Sequence, residues 1–97
     1  MAEEKNFENK VKRWLKSKGI YHFKYFGNAF STAGIPDLIA CVNGRFVGIE
    51  LKSEKGKTSQ LQEYNLRQIE KSGGISIVLK PSKFEVFKQS IEDLLND

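Results

Sequence analysis

Two apolar runs, Leu38–Val42 and Arg45–Leu51, are separated only by Asn43 and Gly44. Runs of β-branched and aromatic residues of this length predict strands, and Asn-Gly is the pair that best tolerates the two positive φ angles of a type I′ turn. The pattern therefore predicts a tight hairpin. Ahead of it, Phe7, Val11, Trp14 and Leu15 recur at helical spacing from Glu3 to Lys18, and Gly19 stops that helix. Residues 20–26 alternate aromatic and polar positions as a strand does, and Gly27 to Ala33 is a small, polar loop. After the hairpin, a polar loop from Ser53 leads into a helix over Ser59–Ser72, opened by a Ser59-x-x-Gln62 capping box and carrying Leu61, Leu66 and Ile69 on its inner side. Gly73-Gly74 ends that helix, Ile75–Leu79 is a short strand, and Pro81-Ser82-x-x-Glu85 starts a last helix through Leu95 with Phe84, Phe87, Ile91, Leu94 and Leu95 on its apolar side. A strand, a helix and another strand in succession place the two strands parallel. The order is αβββαβα around a mixed sheet, an α/β fold in a single domain over residues 1–97.

Charge changes the meaning of the hairpin. If Val42 pairs with Arg45, Asp37 falls opposite Glu50, with Cβ atoms about 5 Å apart, and Lys52 points to the same face. Two carboxylates facing each other between apolar strands are destabilising unless something compensates. A divalent cation with hard oxygen ligands would do so while keeping several of its waters, and the neighbouring ammonium could orient one of them. That is chemistry suited to cutting a phosphodiester.

Glu8 adjoins the apolar stripe of the first helix, on the row Glu4, Glu8, Val11, Leu15, so it should face the body of the protein. Glu3, Glu4 and Glu8 also lie where acidic side chains complement a helix dipole. The lone Cys41, inside a strand, reads as a small buried core residue, and a single histidine, His22, argues against a zinc site. No apolar run approaches the roughly 20 residues that span a membrane, and the N-terminus has no apolar stretch behind a basic start, so a cytoplasmic location is expected. The net charge of +4 favours a polyanionic partner. Lys55 and Lys57, beside the carboxylate pair, could hold a nucleic-acid backbone or be plain loop residues, and Phe30, in a loop, is a better candidate for stacking on a base than the strand aromatics.

Pro36-Asp37, a gap, then Glu50-Leu51-Lys52 resembles the signature of the PD-(D/E)xK nucleases. More narrowly, Gly34-Ile-Pro-Asp37, the polar loop after Lys52 and Ser59-x-x-Gln62 make the whole chain similar to stand-alone, phage-type members of the VRR-NUC family. The resemblance implies a restriction-endonuclease-like fold and a metal-dependent endonuclease related to Holliday junction resolvases. It also implies that Asp37, Glu50 and the Leu51 carbonyl bind Mg²⁺ or Mn²⁺ and that Lys52 is catalytic. An acidic residue on the first helix, Glu8 or else Glu4, would complete the metal site, and Gln62 would orient water or phosphate near Lys52. Gln62 thus carries two readings, helix cap and site residue, which are compatible. Two cuts in a four-way junction call for a twofold dimer, with Phe26, Phe30 and the Phe84, Phe87, Ile91 face as candidate interface residues. A non-catalytic nucleic-acid-binding or protein-interaction module on the same fold is the alternative.

Overall fold

A computed structural model describes residues 2–27 and 33–97, so Phe30 lies outside the described residues. The elements run α1 (Ala2–Ser17), β1 (Tyr21–Lys24), β2 (Leu38–Val42), β3 (Arg45–Leu51), α2 (Gln60–Lys71), β4 (Ile75–Leu79) and α3 (Phe84–Leu95), with one 3₁₀ turn at Pro81–Lys83 before α3. The four strands lie in sequence order. β1 and β3 each run antiparallel to β2, and β4 runs parallel to β3, giving the expected mixed sheet.

Asn43 and Gly44 turn the hairpin with φ of 52° and 80°, the pair of positive values a type I′ turn requires. Val42 pairs with Arg45 and Leu38 with Ile49, so the register is the expected one. Alternation then assigns the faces. Leu38, Ala40, Val42, Val47, Ile49 and Leu79 form the fully buried side, covered by Val11 and Leu15 of α1 and by Phe84, Phe87 and Ile91 of α3. Trp14 and Phe7 close that core by edge-to-face contacts with the α3 rings, at 5.8 Å for Trp14 and Phe87 and 5.7 Å for Phe7 and Phe84.

The other side of the sheet is covered only in part. α2 crosses it closely at Gly48, where a Cβ would come within 2.7 Å of Ile69 Cδ1 and 3.1 Å of Pro36 Cγ. Beyond α2 the strand residues stay open to solvent. Tyr21, Cys41 and Phe46 are cross-strand neighbours, with Phe23 and Ile39 in another row of the same face. Cys41 is exposed, not buried as its apolar strand suggested, because α2 leaves the turn end of this face bare. Leu61 is likewise 47% exposed, since it leans on Gly34 at the margin of α2 rather than facing the core as Leu66 does.

Two further expectations change. Ser82 does not cap α3: the 3₁₀ turn shifts the helix start to Phe84, Lys83 at its N-cap makes no side-chain cap bond, and Ser82 gives its backbone N–H to Glu54 Oε2 at 2.6 Å. Phe84, Phe87 and Ile91 are the middle of the core and cannot be a docking face.

Candidate nuclease site

Where β2 and β3 leave the hairpin at its open end, three segments bring charge together. Tyr25 N–H donates to Asp37 O at 2.9 Å, carrying the β1–β2 pairing one residue past β2 and fixing the main chain at Asp37. On the facing strand, the Leu51 N–H donates to Asp37 Oδ2 at 2.8 Å. This ties the carboxylate to the backbone of the Glu-Leu-Lys segment. In extended backbone the N–H and C=O of one residue point to the same side, so the Leu51 carbonyl shares that edge with Asp37. Lys52 N–H donates to Leu79 O at 3.0 Å, which holds the residue after β3 against β4.

Glu50 is only 3% exposed, although it is a carboxylic acid in a strand. Its Oε2 accepts from Gln62 Nε2 at 2.9 Å and lies 3.6 Å from Lys52 Nζ. Burial first, and then the charge of Asp37 within hydrogen-bonding reach, push the Glu50 carboxyl up to about 7; the Lys52 ammonium pulls the other way without cancelling them. The facing carboxylates expected from the register are therefore real neighbours, and Glu50 resists ionisation beside Asp37.

This shift has a stability consequence. The ordinary value is 4.5 and the folded value about 7. The folded state therefore holds the Glu50 proton more tightly, its stabilising contribution is complete below the ordinary value, and it is lost as pH rises through the folded one. With a chelator present, wild type is expected to lose about 3 kcal/mol relative to Glu50→Gln across that window. Urea melts of both proteins at several pH values measure this, and parallel pH curves would show that Glu50 ionises without penalty.

Gln62 caps α2 and reaches the Glu50 carboxyl with the same amide. Ser59 is the N-cap of α2: Gln62 N–H donates to Ser59 Oγ at 3.1 Å, and Ser59 N–H donates to Gln62 Oε1 at 2.8 Å, while the amide's other end holds Glu50. Glu8 stands apart. It is 7% exposed, as its place beside the apolar stripe of α1 implied, but Lys24 Nζ lies 2.5 Å from Oε1, and Lys12 and Lys5 lie 3.3 and 3.5 Å from Oε2. Burial works to raise its carboxyl, yet the bonds from Lys24 and Lys12 hold it below the usual carboxylate range. Strand alternation puts Lys24 on the α1 face of the sheet, whereas Glu50 and Gln62 meet on the α2 face. Among the described residues, no three His, Cys, Asp or Glu side chains come together as a metal cluster. Glu4, the other first-helix candidate, is exposed.

Sequence reasoning missed the partner that engages Glu8, since nothing local links Lys24 to a residue 16 positions earlier. It also missed how the loop after Lys52 is moored: Lys80 Nζ donates to Glu54 O at 3.1 Å and Glu54 Oε2 takes the Ser82 N–H at 2.6 Å, and the Ser82 side chain first, then that N–H, hold the Glu54 carboxyl below the usual range. The donor set suits a hard divalent cation. Two carboxylates meet there, with the Leu51 carbonyl on the same edge, and burial first, then the Asp37 charge, raises the Glu50 carboxyl.

Known structures share this fold. A solved structure described as a VRR_NUC domain protein superposes with a TM-score of 0.68 at 23% identity, covering 92% of this chain and 88% of its own. Archaeoglobus fulgidus Hjc, a Holliday junction resolvase from an archaeal hyperthermophile, superposes with a TM-score of 0.59 at 20% identity, covering 79% of this chain and 69% of its own. Among curated proteins none matches the chain in sequence. The fold is restriction-endonuclease-like, the class of the VRR-NUC and Hjc nucleases. The sequence matches the archaeal Holliday junction resolvase (Hjc) family over residues 2–94, and the chain belongs to that family. It is a nuclease of the resolvase type.

Proposed function

We propose that this nuclease is a divalent-metal-dependent endonuclease that cuts branched DNA, with Asp37, Glu50 and Lys52 at its centre. The observation that carries this reading is the buried Glu50 carboxyl, raised to about 7 beside Asp37 with the Lys52 ammonium 3.6 Å away. A structural role alone gives no reason to bury the Glu50 carboxyl beside a second carboxylate. Asp37, Glu50 and the Leu51 carbonyl would hold Mg²⁺ or Mn²⁺, which supplies charge neutralisation at the phosphate and a more acidic water. The chain's own residues do the rest. Asp37 is steadied by the Leu51 N–H, and Glu50 by Gln62. Lys52 orients the attacking water and balances the charge that builds on the phosphate. Lys55 and Lys57 are exposed on the loop after Lys52, placed to hold the DNA backbone. Glu8 would join the metal only by releasing Lys24, so it is an outer member of this set.

The direct test is cleavage of labelled four-way junctions, flaps, nicks and linear duplex with Mg²⁺, with Mn²⁺ and with chelator. Metal-dependent cutting that favours the junction is the expected result. Absence of cutting under every condition would leave the binding-module reading.

Paired cuts in a junction also favour a homodimer, because a twofold axis presents two equivalent sites. With the α3 rings committed to the core, an apolar surface open among the described residues is the bare face carrying Tyr21, Phe23 and Phe46, which are 72%, 46% and 49% exposed. Aromatic groups exposed together mark a contact surface, and here a second copy is the proposed occupant. Light scattering is expected to give about twice the 11.1 kDa chain mass, and Phe46→Glu to return it to the monomer mass. A wild-type monomer that still makes symmetric paired cuts would defeat the dimer.

A further inference from the structure

We infer that Ser59 is a positioning residue for the nuclease site: its backbone N–H sets which end of the Gln62 amide faces Glu50. A side-chain amide has an accepting end and a donating end of nearly equal size, and only its surroundings decide which way it points. At Gln62 the decision is made at the helix cap. The Ser59 N–H can only donate, so it selects Oε1, at 2.8 Å, and the same bond turns Nε2 toward Glu50 Oε2, at 2.9 Å. A flipped amide would set Nε2 against an N–H and Oε1 against the ionised Glu50 carboxylate. Both bonds would be lost together. Capping α2 and orienting Glu50 are thus one arrangement, in which the cap is the anchored end: Ser59 O accepts Glu63 N–H at 3.0 Å, and Thr58 Oγ1 bonds Glu63 Oε2 across the helix start.

The coupling explains a chemical preference at position 62. An ordinary capping box accepts Glu as readily as Gln. Here Glu would satisfy the Ser59 N–H equally well, yet it would present an acceptor to Glu50 and bring a third carboxylate to the pair. Only the amide satisfies both neighbours. The inference deepens the proposed nuclease reading and rests on it for its catalytic consequence, though not for its structural one.

The backbone of Ser59 makes the idea testable, because its φ of −77° is close to the value that proline imposes. Ser59→Pro deletes the N–H and the hydroxyl, whereas Ser59→Ala deletes the hydroxyl alone, so the two variants differ at the bond in question. Expected are a cleavage rate at saturating metal at least about tenfold lower for the Pro variant than for the Ala variant, as misplacement of a site group produces, and loss of the protected Gln62 side-chain NH₂ resonances in the Pro variant only. Gln62→Glu, which keeps the cap acceptor, is expected to cut no faster than Ser59→Pro. Equal rates and the same Gln62 amide resonances in the Pro and Ala variants would overturn the inference. Should Ser59→Pro not fold, Gln62→Glu decides it, and wild-type cleavage by that variant would overturn it. Wild type that cuts no DNA would instead sink the nuclease reading, leaving the resonance comparison to judge the positioning role.

Discussion

Asp37→Asn or Glu50→Gln is expected to abolish metal-dependent cleavage while leaving the chelated protein at least as stable as wild type. Each substitution keeps the shape of the side chain and removes one charge. Asparagine at 37 still offers an oxygen to the Leu51 N–H, and glutamine at 50 still offers one to Gln62 Nε2. What disappears is the repulsion that, with burial, raises Glu50 to about 7. Function and stability should therefore move in opposite directions, which a merely structural carboxylate pair would not show. Metal affinity by calorimetry should fall in both variants. Full cleavage by either at saturating Mg²⁺ would remove that residue from the proposed ligand set, and marked destabilisation of both would mean that the pair is structural.

Much of this arrangement could be read from the chain because it depends on local chemistry. The type I′ turn at Asn43-Gly44 counts residues from a fixed origin, so the position of Asp37 opposite Glu50 followed from arithmetic on the strand pattern, and the Leu51 N–H bond to Asp37 agrees with it. The capping box at Ser59 and Gln62 was equally local. The misjudged features all depend on what packs against what. The apolar pattern of β2 is the same whether α2 covers its outer face or stops short of it, so the exposure of Cys41 was not in the strand itself. The rings of α3 could equally have faced a partner until α1 was seen to close over them. Glu8 was placed at the right depth by helical periodicity, but its charge partner comes from β1 on another part of the fold. Ser82 matched a capping pattern, yet Glu54 engages its N–H from a loop 28 residues earlier.

Lys52→Ala is expected to slow cleavage by at least about a hundredfold, the usual loss when a positioned charge is removed from a reacting centre. The backbone of Lys52 is fixed by its bond to Leu79 O, and its side chain lies only 20% exposed along the site with Nζ 3.6 Å from Glu50 Oε2. The ammonium is therefore held near the carboxylates by the strand end. Removing it also removes the one named charge that pulls the Glu50 carboxyl down, so at neutral pH the alanine variant should bind metal less well for reasons of protonation alone. Measuring well above the Glu50 range separates the two effects: there metal affinity should return to near the wild-type value while the rate stays low. Lys52→Arg keeps the charge but replaces a compact ammonium with a wider planar fork in a half-buried site, and is not expected to restore the rate. Wild-type cleavage by the arginine variant would show that position 52 supplies charge alone. A rate loss in Lys52→Ala that vanishes at high pH would show that its whole contribution is to keep Glu50 ionised.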